Sequence, residues 1–413
     1  MDYPAKFARI AEKTSFRLLD ADARAFVGDM ANRYRFTLQE LQLVSDMALD
    51  RSRWKEQPLG EDWPDEGDKS ALIRALVRRH GQVRDREKSY AAFSSADKPK
   101  AVKPEIRVAS KPNLGLGRCP VASERTRCCN LMTLDAVERC GFDCSYCSIQ
   151  SFYHGNAVTF DGTFPEKLAA LVLDPDRTYH IGTGQSSDSL MWGNHNRVLE
   201  ALARFARGNP NVLLELKTKS RNIGWLLEND YPPNILTTWS LNPQTIIDHE
   251  EHLTASLAQR LDAAGKIAAK GRLVGFHFHP IVHYDRWRED YGAICRELVS
   301  RFTPGQVATV SLGTLTFTRS VMKTIRRRPL ASKILQMPME EIAGKYSYPL
   351  AVKTELFRHV YGALSPWHGR VFFYLCMEAE ELWNPVFGHA YASNGAFEEA
   401  MKAAYFAKVG ALD

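Results

Sequence analysis

The chain has 413 residues, 45% hydrophobic and 25% charged, with a formal net charge of +6. That length suits two or three domains of about 150 residues, or one α/β barrel of about 200–250 residues with additions. The balance excludes a disordered chain, the lack of any run near 18 apolar residues excludes a membrane-spanning helix, and the mild positive charge permits a polyanionic partner without requiring one.

The first residues, Met1-Asp2-Tyr3-Pro4-Ala5-Lys6, hold no apolar signal core, so a cytoplasmic location is expected. Residues 1–105 read as a helical region and linker. Apolar residues recur at helical spacing over 18–34 and 36–54, with Thr37 as an N-cap. The stretch 56–69 carries two prolines, two glycines and a run of acids, and reads as a loop. A basic helix follows over 73–88. A Lys/Pro/Ser-rich linker opens at Ser94 and runs to about Pro120.

Beyond the linker the period changes. Apolar, β-branched runs occur at 130–137, 178–182, 212–218, 235–241, 273–281 and 307–315. Amphipathic segments separate most of them, at 198–207, 253–269, 286–302 and 320–328. Alternating strands and helices predict βαβ units and a parallel sheet, either a partial barrel or an open doubly wound sheet. In both, chemistry gathers at the carboxyl ends of the strands. The expected domains are 106–330 for this α/β region and 331–413 for a C-terminal α/β extension. The polar residues at the strand ends include Gly182, Gly184, Gln185 and Ser186, then Lys219, Ser240 and Asn242, then His277 and His279.

Cysteine carries the strongest signal. Of eight cysteines, six (Cys119, Cys128, Cys129, Cys140, Cys144, Cys147) lie within 29 residues, where an even spread would put roughly half of one. Clustered thiols in a large chain of this kind point to metal or redox chemistry rather than disulfides. Cys140-Gly-Phe-Asp-Cys144-Ser-Tyr-Cys147 supplies three thiolates in one loop after the first strand. Three thiolates suit a [4Fe–4S] cluster with one open iron. A structural zinc site would want four closed ligands, and buried thiols also simply pack. Cys119, Cys128 and Cys129 remain candidates for an auxiliary cluster. His277, His279 and His283 read either as metal ligands or as polar lining of a cofactor pocket. Arg319, Lys323, Arg326, Arg327, Arg328 and Lys333 form a basic stretch that tracks phosphates or simply faces solvent.

The cysteine loop at the first β-to-α connection resembles the radical S-adenosylmethionine (SAM) superfamily. The longer set resembles the spore photoproduct lyase family, in its relatives outside spore formers. The residues that carry it, in order, are Cys140 to Gln150, Ser186-Ser187-Asp188, Thr218-Lys219, Ser240-Leu241-Asn242, Gly275 to Ile281 and Phe317-Thr318. The resemblance implies a partial (β/α)6 barrel. It implies Cys140, Cys144 and Cys147 as ligands of a [4Fe–4S] cluster, and a SAM pocket of Tyr146, Gly182, Gly184, Gln185, Ser186, Lys219, Ser240, Asn242 and His279. It further implies reductive cleavage of SAM, damaged DNA with a thymine dimer lesion as substrate, and an electron donor such as flavodoxin or ferredoxin, with no membrane partner. Two positions depart from the family. Gln185 stands where the lyases carry a hydrogen-donating cysteine, and Ser148 where they carry a tyrosine. Cys376, in an apolar strand-like run, is the replacement donor the sequence offers, with Cys128 and Cys129 next. Radical modification of RNA or a peptide, and a zinc-stabilised nucleic-acid binder, are the competing readings.

Overall fold

The computed structural model describes residues 2–65, 67–93, 104–119, 126–149, 157–342 and 344–412. The predicted linker residues Ser94 to Lys100, and Gln150, lie outside these. Two compact units divide the chain. The first comprises Met1–Lys100, His283–Asp285 and Thr316–Tyr348; the second comprises Ala101–Val282, Arg286–Leu315 and Pro349–Asp413. The segment 331–348, placed by its sequence in a C-terminal extension, thus groups with the first unit.

The first unit is built on helices α1 (Tyr3–Ala11), α2 (Ala21–Tyr34), α3 (Leu38–Trp54) and α4 (Lys69–Asp85). Their apolar stripes meet at Val27, Ala31, Leu41, Val44, Leu72 and Leu76. Thr37 caps α3 as its sequence predicts. Its hydroxyl accepts from the Glu40 N–H at 3.3 Å, while the Glu40 carboxylate accepts from the Thr37 N–H at 2.7 Å. α2 begins at Ala21 rather than at residue 18, because Asp20 takes the cap and Ser15–Leu18 forms a separate 3₁₀ turn. Helix Arg319–Arg327 packs on α3.

The second unit is organised by one eight-stranded sheet. Its strands are β1 (Leu116–Arg118), β2 (Met132–Leu134), β3 (Tyr179–Thr183), β4 (Val212–Thr218), β5 (Ile235–Ser240), β6 (Val274–Ile281), β7 (Val307–Thr314) and β8 (Phe372–Leu375). They lie side by side in chain order, from β8 at one edge to β1 at the other. All pairs are parallel except β1 with β2. All six predicted runs are therefore neighbours in one sheet, curled as a half-barrel. Helices Val198–Gly208, Leu257–Ala269 and Trp287–Arg301 connect successive strands. The C-terminal region adds β8 as the next parallel strand. Beyond it, Thr126 bridges to Ala379 and the Arg127 N–H donates to the Glu378 carbonyl at 3.3 Å. The segment that follows β1 is thereby tied to the segment that follows β8.

Part of the predicted linker is ordered strand. Glu105–Ala109 pairs in parallel with Ala157–Asp161, and β1 pairs with β2. The alternation of Ile106 and Val108 with charged residues is a strand pattern too short to separate from a linker by composition. No helix is long and apolar enough to cross a membrane among the described residues.

Side chains alternate faces along a strand. Glu215 and Lys217 on β4, His277 and His279 on β6, Thr309, Ser311 and Gly313 on β7, and Tyr374 and Cys376 along and just beyond β8 therefore share faces in steps of two. The sheet carries a polar stripe across its strands, set among apolar residues.

Candidate functional site

The loop after β2 is fixed by its surroundings. Asp143 and Cys144 pair antiparallel with His252 and Glu251. The Ser145 N–H donates to the Glu250 carbonyl at 2.8 Å, and the Cys147 N–H to the Cys144 carbonyl at 3.2 Å. A Cβ on Gly141 would lie 2.4 Å from the Met191 methyl and 2.9 Å from the Trp192 ring, so only glycine fits there. The Cys140 sulfur sits 3.9 Å from that of Met191.

Cys140, Cys144 and Cys147 line one cleft of about 600 Å³, counting its open mouth. Opposite them stand Gly184, Gln185, Ser186, Ser187 and Asp188 after β3, Lys217, Thr218 and Lys219 at the end of β4, and Ser240 at the end of β5. The cleft thus lies at the carboxyl ends of the strands. Gly184 has φ +88°, and a Cβ there would fall 2.7 Å from the Ser189 hydroxyl and 2.8 Å from the Lys217 carbonyl. The backbone can turn into the cleft only because the side chain is missing.

Asp188 ties the two walls together. One of its oxygens accepts from the N–H groups of Leu190 and Met191 at 3.0 and 2.9 Å and from the Thr218 hydroxyl at 2.7 Å. The other accepts from the Lys219 N–H at 2.6 Å. Beneath Tyr146 lies a second buried anchor, Glu251. It accepts from the Tyr146 hydroxyl, from Asn242 at 2.7 Å and from Arg260 at 2.5 Å. Burial alone would raise the Glu251 carboxyl, but Arg260 and Lys219 overcome it and hold the group at about 2. The Lys219 ammonium lies 5.8 Å from the Tyr146 ring centre and 4.0 Å from Glu251. Burial pushes the Cys140 and Cys144 thiols up.

Nine of the expected site residues meet on this cleft: Cys140, Cys144, Cys147, Tyr146, Gly184, Gln185, Ser186, Lys219 and Ser240. Ser186 spends its polar groups on the fold, its hydroxyl donating to the Val137 carbonyl and its N–H to Asp135. Gly182, Asn242, His279 and Cys376 do not line the cleft. Gly182 packs against Leu131, whose side chain a Cβ would meet at 3.0 Å. Asn242 is fully buried, bonded to Glu251 and to the Tyr291 hydroxyl. His279 bonds Ser311 at 3.0 Å and Lys217 at 3.3 Å. The residues that sequence reasoning missed are Asp188 as an anchor, Lys217, Glu215, Glu251 and Arg260. The spacing Glu215-x-Lys217-x-Lys219 on a strand was the available signal for three positions on one face.

The donor set and the cradle fit an iron–sulfur cluster with SAM. Three thiols share one wall, Gly141 and Gly184 leave space that a Cβ would fill, and the Lys219 cation faces the same cleft. Among the described residues, no three or more His, Cys, Asp or Glu side chains gather around one point as a single-ion site would.

Residues 174–354 match the family model described as spore photoproduct lyase. A spore photoproduct lyase from Geobacillus is 29% identical over 221 residues, covering 51% of this chain and 62% of the relative. Over part of its length this chain is similar to spore photoproduct lyase. A second such lyase, from Clostridium acetobutylicum, is 22% identical over 52% of the chain and 64% of the relative. The chain thus matches about three fifths of the length of these curated relatives. Solved spore photoproduct lyase structures share the fold. A variant with bound AdoMet and dinucleoside spore photoproduct superposes with a TM-score of 0.54 at 19% identity, covering 65% of this chain and 82% of that one. A complex with dinucleoside spore photoproduct gives 0.55 at the same identity and coverage.

Proposed function

We propose that this relative of spore photoproduct lyase is a radical SAM enzyme acting on a UV lesion in DNA, a thymine dimer. The observation that carries the proposal is the cleft at the strand ends, with Cys140, Cys144 and Cys147 on one wall and Lys219 opposite. In this reading Cys140, Cys144 and Cys147 would hold a [4Fe–4S] cluster, which would supply the electron for cleaving SAM. Lys219 would balance the SAM carboxylate as a point charge, Gly184 and Gln185 would border its methionine part, and Tyr146, tethered by Glu251, would pack beside the adenine. When bound, cluster and SAM together supply a 5′-deoxyadenosyl radical that abstracts a hydrogen atom from the substrate. The protein's own work is to hold the lesion out of the stack, which costs least for a damaged base, and to return a hydrogen atom to the product. Gln185 has no S–H to give, so Cys376 takes that role. A one-electron donor of the flavodoxin or ferredoxin class supplies reducing equivalents, in the cytoplasm.

Anaerobic reconstitution with iron and sulfide tests this. The expected result is a reducible [4Fe–4S] signal, 5′-deoxyadenosine from SAM, and repair of dinucleoside spore photoproduct that is lost in Cys140→Ala. Absence of both signal and deoxyadenosine overturns the radical reading. Deoxyadenosine formation with both dinucleotide and duplex lesions untouched overturns the DNA reading alone. Gln185 on the cleft wall then favours RNA or a peptide as the target.

A further inference from the structure

Two ammonium groups, Lys217 and Lys219, are the cations that line the cleft. They stand two residues apart at the end of β4, so they start on the same side of the strand. Their heads then part. Lys219 lies 5.8 Å from the Tyr146 ring centre and 4.0 Å from Glu251. Lys217 turns toward β6, where its Nζ lies 3.3 Å from His279 Nδ1. Among the described residues no carboxylate pairs with Lys217. Asp188, the carboxylate that lines the same cleft, is taken by the N–H groups of Leu190, Met191 and Lys219 and by the Thr218 hydroxyl.

A buried chain of hydrogen bonds holds Lys217 in that direction. His279 Nε2 lies 3.0 Å from Ser311 Oγ, and the same hydroxyl bonds His277 Nδ1. His277 Nε2 lies 2.6 Å from the enclosed Glu215 carboxylate, which also takes His180 Nε2 at 2.8 Å and the Thr238 hydroxyl at 2.7 Å. One set of tautomers satisfies every link. Lys217 donates to His279, His279 to Ser311, Ser311 to His277, and His277 to Glu215. Gly313 leaves room for the third link, since a Cβ there would lie 3.1 Å from the His279 ring. The carboxylate of the chain is occupied at its far end, and the ammonium reaches the cleft beside a neutral ring.

We propose that Lys217 is a substrate-binding residue that holds the phosphate linking the two nucleosides of the lesion, and that Glu215, His277, Ser311 and His279 are positioning residues that aim its ammonium. This rests on the reading of a thymine dimer in DNA as the substrate. The two thymines of such a lesion are covalently joined, so neither enters the cleft alone, and the phosphate between them has to follow. A phosphodiester taken out of water needs a cation or hydrogen-bond donors in exchange. Lys219 faces Glu251 and, in the proposed function, the SAM carboxylate. Lys217 is the cation left for the phosphate, which it would meet as a point charge. Burial lowers Lys217, and an anion beside it would offset that effect.

The test measures equilibrium binding and repair by the reconstituted full chain with SAM. Three lesions are compared: dinucleotide spore photoproduct, whose bridge is a phosphate; dinucleoside spore photoproduct, which has none; and a dinucleotide with an uncharged methylphosphonate bridge. The wild type is expected to bind the first about 10-fold more tightly than the other two, the scale of one charge-assisted hydrogen bond. Lys217→Met is expected to lose that preference while its affinity for the dinucleoside, and the SAM concentration needed to form 5′-deoxyadenosine, stay as they were. Lys217→Arg keeps a cation and is expected to keep most of the preference. Ser311→Ala, which lies outside the cleft lining, is expected to lose part of the preference with dinucleoside affinity unchanged, a selectivity that a general loss of packing would not produce. Equal binding of the three lesions by the wild type overturns the proposal without any variant, and leaves the substrate reading in place if they are repaired. Weakening of the dinucleoside and dinucleotide alike in Lys217→Met, or a raised SAM requirement, overturns it as well. A phosphate preference that depends on Lys217, without repair, supports the role of Lys217 and sinks the repair reading; binding of none of the three overturns both.

Discussion

Gly141 follows the first cleft cysteine at a point where a methyl group has no room. Alanine there must push back the Met191 methyl, which can move, and the Trp192 ring, which is held by its N–H on Ser187 at 3.2 Å. Overpacking of this kind costs about 1–3 kcal/mol. Gly141→Ala is accordingly expected to lower the unfolding free energy, measured by chemical denaturation, by that amount and to reduce iron retained after reconstitution. Unchanged stability together with full iron content would count against a rigid cradle. The three cysteines were legible because their spacing is local. Asp188 was quoted only as part of a run, because its work is to receive N–H groups from Leu190, Met191 and Lys219, and two of those walls are 30 residues apart in sequence.

The buried link between β3, β4 and β6 makes a pH prediction at the level of elements. Burial works against the Glu215 carboxylate, yet His277 and His180 overcome it and hold it well below its ordinary range. His277 is held at about 4 against an unfolded value near 6.5. Both groups are depressed in the folded state. Below the unfolded histidine value the unfolded chain therefore binds more protons, and stability falls as pH drops from about 6.5 toward 4. At about 1.4 kcal/mol per pH unit the loss from His277 is on the order of 3 kcal/mol. Chemical denaturation of the wild type between pH 7 and 4.5 should show it, and His277→Gln should flatten the slope. An equal slope in that variant would mean that other groups carry the acid sensitivity.

The same elements show what could be read from sequence. Runs such as 212–218 and 273–281 are apolar and β-branched because parallel strands are buried on both faces. β1 and β8 are three and four residues long, too short for such a run to declare itself. The chain from Glu215 to Lys217 was invisible for a different reason. Glu215, His277, Ser311, His279 and Lys217, hydrogen-bonded in that order, each look like an isolated polar residue in a strand, and only the pairing of Lys217 with Thr238, of Thr238 with Gly275 and of His277 with Ser311 brings them together. The H-x-H pair, which the sequence offers as metal ligands or as polar lining of a cofactor pocket, spends its ring nitrogens within the sheet, one ring on Glu215 and Ser311 and the other on Ser311 and Lys217.

At the scale of the whole molecule, the basic stretch beyond β7 changes meaning. Within the first unit, Arg326 grips Asp50 with two bonds of 2.7 and 2.9 Å, and Asp46 lies 3.7 Å away. Lys333 is occupied by Glu56 at 2.8 Å, and Arg319 by Glu341 at 2.8 Å. Two cations of the stretch that could have tracked phosphates, Arg326 and Lys333, are committed inside the fold, while Arg319 is paired at the surface. Arg326→Ala leaves the buried Asp50 carboxylate without its main partner and should cost about 3–5 kcal/mol of stability. The salt dependence of nucleic-acid binding should stay as it was. A smaller salt slope at unchanged stability would restore Arg326 to the phosphate-contacting group.

Strand order equals chain order across the large sheet, so synthesis lays the sheet down from one edge to the other. The cysteine loop follows β2, whereas Cys376 follows β8, the last strand made. A nascent chain exposes Cys140, Cys144 and Cys147 long before Cys376 emerges. Under the proposed function, loading of the metal cofactor and installation of the reducing thiol would be separable in time, and a chain arrested before β8 would hold the cluster ligands without the thiol that ends the radical.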